Sequence, residues 1–236
     1  GRRFAYLSTI TDDYETLNMY KWGLDSSYGL TGMAEGEFAV QDLTWEIVNK
    51  MNLGVELGFL NGMIDLQLDY FDERRKDIFM PRESVPMTAG FMKQPWKNFG
   101  KVTNQGVEVS LNVNKQFGKD LFVSLMGTFT YAHNEITEKD EPSAVVGTNR
   151  AETGHPVGQL TGYIAEGLFT ADDFEDVSTG KLKEGIPTQS FVGKLRPGDI
   201  RYRDVNGDGK VDVFDKSPIG GTKDPEIVYG FGLNMK

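Results

Sequence analysis

The sequence contains no cysteine. Disulfides, thiolate metal centres and cysteine nucleophiles are therefore excluded, although the absence names no compartment. Histidine is nearly missing too. His133 and His155 are the two in the chain, on separate segments, and they suggest neither a zinc set nor a Ser-His-Asp triad. Basic excess is lacking: 25 basic residues stand against 35 acidic ones, a formal net charge of −10. No basic stripe offsets phosphate charge, so no nucleic-acid partner is expected. No run of about 18 apolar residues occurs, which excludes a transmembrane helix. A membrane-spanning strand needs only about 9–11 residues of alternating character and is not excluded. The N-terminal "GRRFAYLSTI" has no signal-peptide pattern and opens on strand-like residues. The C-terminal "YGFGLNMK" stops inside another such run. Both ends read as cut, so a piece of a longer chain is expected.

What is plentiful is glycine, with 28 residues, and aromatic side chains, with 3 Trp, 9 Tyr and 15 Phe. That mixture fits strands and turns. Apolar residues recur at every second position in five segments. These are Met51–Phe59, Ile64–Tyr70, Val107–Asn114, Leu121–Tyr131 and Ile227–Met235. Period two predicts strands with one apolar face and one mainly polar face. On the apolar side stand Leu53, Val55, Leu57, Leu66, Leu68, Val109, Leu111, Val123 and Leu125. On the other stand Asn52, Glu56, Asp65, Asp69, Glu108 and Asn112. Connector lengths alternate. "LNG", with Asn61-Gly62, and "QFGKD" are short, whereas 12–43, 80–101 and 138–225 are long. Alternating short turns and long loops are the habit of outer-membrane barrels. A soluble β-sandwich also alternates apolar and polar residues. Long strands, carboxylates on the polar face, and Trp45, Phe59, Tyr70 and Tyr131 near strand ends favour the barrel.

Residues 204–215, "DVNGDGKVDVFD", space oxygen-bearing groups as a calcium loop does. Asp204, Asn206, Asp208, the Lys210 carbonyl, Asp212 and Asp215 are the candidate ligands, with Gly209 at the sharp turn. Asp215 stands where such loops usually carry Glu. The preceding "PGDIRYR" reads as a strand, so a structural Ca²⁺ clip within the 138–225 loop is expected rather than a switch. The acidic run around Asp172, Asp173, Glu175 and Asp176 reads as a solvated loop and not as glycosidase carboxylates. Trp22, Tyr28, Phe91, Trp96 and Tyr163 are loop aromatics suited equally to packing or to stacking on a ligand.

Three stretches carry a family resemblance. "LTWEIVNKMNLGVELGFLNGMIDLQLDYFDERRKDIF", "NFGKVTNQGVEVSL" and "PGDIRYRDVNGDGKVDVFDKSPIGGTKDPEIVYGFGLN" resemble, in order and spacing, segments of SusC/RagA-type TonB-dependent outer-membrane transporters. The resemblance implies an all-β fold: about six up-and-down antiparallel strands of a partial transmembrane barrel with long extracellular loops. It implies uptake of an oligosaccharide or peptide, energy from TonB through a part outside this chain, a SusD-like lipoprotein partner, and contact with outer-membrane lipid. No enzymatic activity is expected. The alternative reading is a soluble, secreted β-rich binding module with a dockerin-like calcium loop.

Overall fold

The computed structural model describes residues 4–11, 20–25, 28–30, 33–91 and 93–236. Five long strands build one antiparallel sheet: β1 (Ile47–Phe59), β2 (Ile64–Pro81), β3 (Trp96–Phe117), β4 (Leu121–Glu138) and β5 (Ile227–Met235). Their order in the sheet is their order in the chain, an up-and-down meander. Leu60, Asn61 and Gly62 all take positive φ, which lets the first hairpin close tightly. Gly118 does the same for the turn between β3 and β4. Antiparallel order places both tight turns at one end of the sheet, and 82–95 and 139–226 at the other.

The register turns five alternating segments into continuous rows. Leu53, Tyr70, Val107, Tyr131 and Ile227 lie side by side across the sheet, followed by Val55, Leu68, Val109, Phe129 and Tyr229. Next come Leu57, Leu66, Leu111, Gly127 and Phe231, then Phe59, Ile64, Val113, Leu125 and Leu233. All nine residues assigned to the apolar side share this face. The opposite face carries Gly54, Asp69, Glu108 and Thr130 in one row. Glu56, Gln67, Ser110 and Thr128 form another, and Gly58, Asp65, Asn112 and Met126 a third. From Leu121 to Tyr131 the strand advances about 33 Å at ~3.3 Å per residue. At the tilt usual in barrels that is about 25 Å of height, the thickness of a barrel's apolar belt. Above the belt the same face turns polar at once, with Met51, Asp72, Gln105 and His133, then Asn49, Arg74, Thr103 and Glu135.

Among the described residues no second layer covers the belt. Leu53 is 62 % exposed and Phe231 86 %. The buried hydrophobic residues are few and lie elsewhere, with Phe169, Phe174 and Leu195 forming a cluster joined by Leu182, Ile186 and Val192. A soluble sandwich would bury this face.

Three boundaries differ from the sequence reading. β2 and β3 run on to Pro81 and from Trp96, so the connector between them is 82–95 and not 80–101. The alternation is broken there by a bulge. The register slips between Arg75 and Ile78, and Asp77 takes a φ of 59°. The long 139–226 segment is not irregular, because it carries four short strand pairs and its own buried cluster. The N-terminal run supplies no sixth long strand among the described residues. Thr9–Thr11 pairs with Ala34–Glu37 as a separate two-stranded sheet. Its apolar alternation stops at the charged residues that follow. Residues 12–19, within the expected first long connector, fall outside the described residues.

Candidate functional site

The chemistry of the chain gathers at the end of the sheet opposite the tight turns. Two staples tie the loops down there. Asp140, just past β4, accepts from Arg82 Nε at 2.8 Å and from the Ser84 amide at 3.2 Å, which joins the 82–95 loop to the foot of the 139–226 segment. Burial pushes the Asp140 carboxyl up, but Arg82 and Ser84 outweigh that and hold it below its ordinary value. Glu141 accepts from the Glu152 amide at 2.6 Å and from Thr153 Oγ1 at 2.7 Å. Burial pushes its carboxyl up as well, and these hydrogen bonds again bring it below the ordinary value. Lower on β4, Ile136 N donates to His155 O at 2.9 Å, and Val157 N donates to Asn134 Oδ1 at 2.7 Å. The segment is thus seated on the top of β4.

The 204–215 loop lies between Ile200–Tyr202 and Ser217–Thr222. Its oxygen donors mostly face amides of the loop itself. Asp204 accepts from Gly207 N at 2.7 Å and from Gly209 N at 2.8 Å. Asn206 Oδ1 accepts from Asp208 N at 3.0 Å, and Asp208 Oδ1 from Lys210 N at 2.9 Å. Asp212 caps the short turn Val213–Asp215 by accepting from Phe214 N at 2.8 Å. Asp215 is fully buried. Its Oδ1 accepts from Val205 N at 2.8 Å and Asn206 N at 3.3 Å, and its Oδ2 from Asp212 N at 2.7 Å. Five of the six expected ligands therefore sit on one closed loop through their side chains, with Lys210 in the short strand that follows the turn. The donor chemistry suits a hard cation. The arrangement is less suited: among the described residues no three His, Asp or Glu side chains converge to hold a metal ion.

The aromatics expected in loops pack on other rings, and Trp96 proves to open β3, where it meets Phe79 of β2. Phe91 meets Phe38 edge-on at 4.6 Å, Trp96 lies 5.0 Å from Phe79, and Tyr163 stacks on Phe191 at 4.5 Å with Tyr202 at 5.6 Å. The Trp22 and Tyr28 side chains lie outside the described residues. His133 Nδ1 pairs with Glu226 Oε1 at 2.7 Å, and Asp173 accepts from Thr170 N and Oγ1. The sequence reading missed the Asp140 and Glu141 staples, because their partners are far along the chain or are backbone amides.

The quoted motifs have physical reasons in this geometry. Gly106, the glycine of "TNQGVE", faces Phe71 of "DYFD" across the β2–β3 pair. A Cβ at 106 would fall 2.1 Å from the Tyr131 carbonyl and 2.6 Å from the Phe71 ring, so the position demands glycine. The ring covers the bare backbone that the glycine leaves.

Residues 9–221 match the family described as TonB dependent receptor-like, beta-barrel. The chain belongs to this family. TonB-dependent receptor P3 of Formosa agariphila is 23 % identical over 94 % of the chain, which spans 22 % of that receptor. TonB-dependent receptor SusC of Bacteroides thetaiotaomicron is 29 % identical over 92 % of the chain, which spans 20 % of SusC. Among solved structures, the RagAB peptide transporter superposes with a TM-score of 0.62 at 20 % identity, over 98 % of this chain and 22 % of the other. At that identity the likeness concerns the fold. This TonB-dependent receptor chain thus spans about a fifth of the length of the relatives it matches.

Proposed function

We propose that the chain is part of the wall and outer loops of an outer-membrane transporter that takes up an oligosaccharide or a peptide. The observation that carries this reading is the uncovered apolar belt, backed by a polar face, in a chain of the TonB-dependent receptor β-barrel family. Lipid holds no hydrogen-bond partners, so strands cross it only as a barrel, apolar face outward. In this reading Leu53, Val109 and Leu111 face lipid, and Glu56, Asp65, Asp69 and Glu108 line a wet lumen. TonB would supply energy through a part of the protein outside this chain. A SusD-like lipoprotein would rest on the 82–95 and 139–226 loops. The named relatives, two receptors and a peptide transporter, favour transport over enzymatic activity. The uncovered belt disfavours a soluble binding module.

The residue order of 204–215 supports one Ca²⁺ as part of the same reading, with Asp204, Asn206, Asp208, the Lys210 carbonyl, Asp212 and Asp215 as donors. Its role would be structural, in a loop that is already closed by amides.

Topology is tested on intact cells with an impermeant thiol reagent, in a full-length protein carrying single cysteines. Cysteine at 143 or 84 should label, and cysteine at 62 should label only after the outer membrane is opened. Labelling at 62 without labelling at 143 refutes the arrangement.

A further inference from the structure

The chain carries a net charge of −10, yet a cavity in the long loop is lined by more cations than carboxylates, and its cations are unpaired among the described residues. It has a volume of about 440 Å³ and opens between residues 150–161 and 213–223 of the long loop. Arg150, Lys216 and Lys223 line it, together with His155, Gln159 and Thr161. Glu152 is the one carboxylate on its wall, and Lys139 pairs with it at 2.8 Å. Among the described residues, Arg150, Lys216 and Lys223 have no ion-pair partner. They are held in other ways. The Arg150 guanidinium sits 4.9 Å from the centre of the Phe214 ring, and Lys216 Nζ sits 5.7 Å from that of Tyr163. Such contacts position a cation without neutralising it. Lys223 N donates to Gly158 O at 3.0 Å, which draws its segment against the opposite wall. Three unpaired cations around one concavity repel one another, and a partly walled cavity concentrates their field. A neighbouring cavity, between the upper parts of β2 to β4 and residues 224–226, has the other sign, with Glu73, Asp224 and Glu226 against Arg75.

We propose that the cavity lined by Arg150, Lys216 and Lys223 binds an oligosaccharide that bears carboxylate or sulfate groups. The cations take the oxyanion through charge-assisted hydrogen bonds. The rest of the lining favours a sugar over an acidic peptide. Its apolar part is Val213 with Ala151 and two prolines, which leaves no deep pocket for a peptide side chain. Thr161 and the Glu152 carboxylate can accept hydrogen bonds from sugar hydroxyls. Gln159 spends its Nε2 on backbone carbonyls of the loop, so its Oε1 remains as an acceptor. The floor is rigid because His155 and Val157 are bonded to β4, so little ordering is required on binding. The inference rests on the transporter reading for placing the cavity outside the cell, but binding itself is measured without transport.

The test uses the purified full-length receptor in detergent and calorimetric titration with a tetragalacturonate, its carboxyl-reduced neutral counterpart, and an acidic tetrapeptide. The uronate should bind at least about tenfold more tightly than either control, and its affinity should fall as salt rises from about 50 to 300 mM. Lys216→Gln and Lys223→Gln should each weaken it about tenfold, the loss of one hydrogen bond to a charged group. Lys119→Gln, in the distant tight turn, should leave it unchanged. Protease patterns of the ligand-free variants report that the loop is still folded, and the salt dependence of the unsubstituted protein needs no variant at all. Equal affinity for the neutral sugar, salt-independent binding, or indifference to both lysine substitutions overturns the proposal. Binding of the peptide but not the uronate overturns the assignment to a sugar. A failed thiol-labelling experiment with intact uronate binding would instead remove the transporter reading alone.

Discussion

Asp215 takes three amide hydrogen bonds in a spot closed to water, and it is the one charged side chain of the 204–215 loop buried so fully. Removing its carboxylate leaves those amides unpaired, at about 1–3 kcal/mol each where they stay buried. Asp215→Ala should therefore expose residues 200–220 to protease whether calcium or chelator is present. Asp208→Ala, on the exposed turn, frees the Lys210 amide where water can replace the lost bond, so its main effect should come through an ion: it should mimic the effect of chelator, and chelator should then add nothing to it. If chelator leaves the unsubstituted loop as protected as before, the ion has no structural part and the amides alone close the loop. The sequence made the loop legible as an ordered run of oxygen donors. It did not carry the use of Asp215, because Val205 N and Asp212 N are backbone groups without a residue signature. The three cations of the loop cavity were equally invisible, since Arg150 is far along the chain from Lys216 and Lys223.

The staples act between elements. Asp140 joins two loops through Arg82, and Glu141 fixes the start of the longer one. Both carboxyls titrate below their ordinary values in the folded protein. A lowered folded value means stability that is fully present above the ordinary carboxylate range and is lost as pH falls through and below it. Loop protection against hydrogen exchange should thus hold at neutral pH and decline at strongly acidic pH. Asp140→Asn should weaken protection already at neutral pH and make the acid-induced decline shallower. An unchanged acid profile in that variant would remove the staple from the account. Strand existence was legible from period two, and so were the two tight turns. Strand length was not. The bulge at Asp77 shifts the alternation, and the polar upper halves of β2, β3 and β4 lack the apolar signal that marks their lower halves.

For the whole molecule, the belt predicts a sharp asymmetry between neighbouring residues. Leu111→Arg puts a cation at the middle of the apolar face and should cost about 2–4 kcal/mol of barrel stability. Asn112→Arg, one residue on, points to the polar face and should cost far less. Urea unfolding of the full-length receptor in bilayers measures both, and equal costs would place the register wrongly. The alternation alone marked these faces. That the belt stays uncovered took the structure, because a periodic strand reads the same beneath lipid and beneath a second sheet. The feet of the long loop have a consequence of another kind. Ala132 N donates to Glu226 O at 2.9 Å, and Tyr131 pairs directly with Ile227. The chain therefore returns to β5 beside Tyr131, on the strand from whose upper end, Glu138, it departs, whatever lies between. Closing a longer excursion adds only about 0.6 kcal/mol per doubling of its length. Residues 139–226 form a cassette: they can change as one piece while the wall beneath, paired through Tyr131 and Ile227, keeps its register.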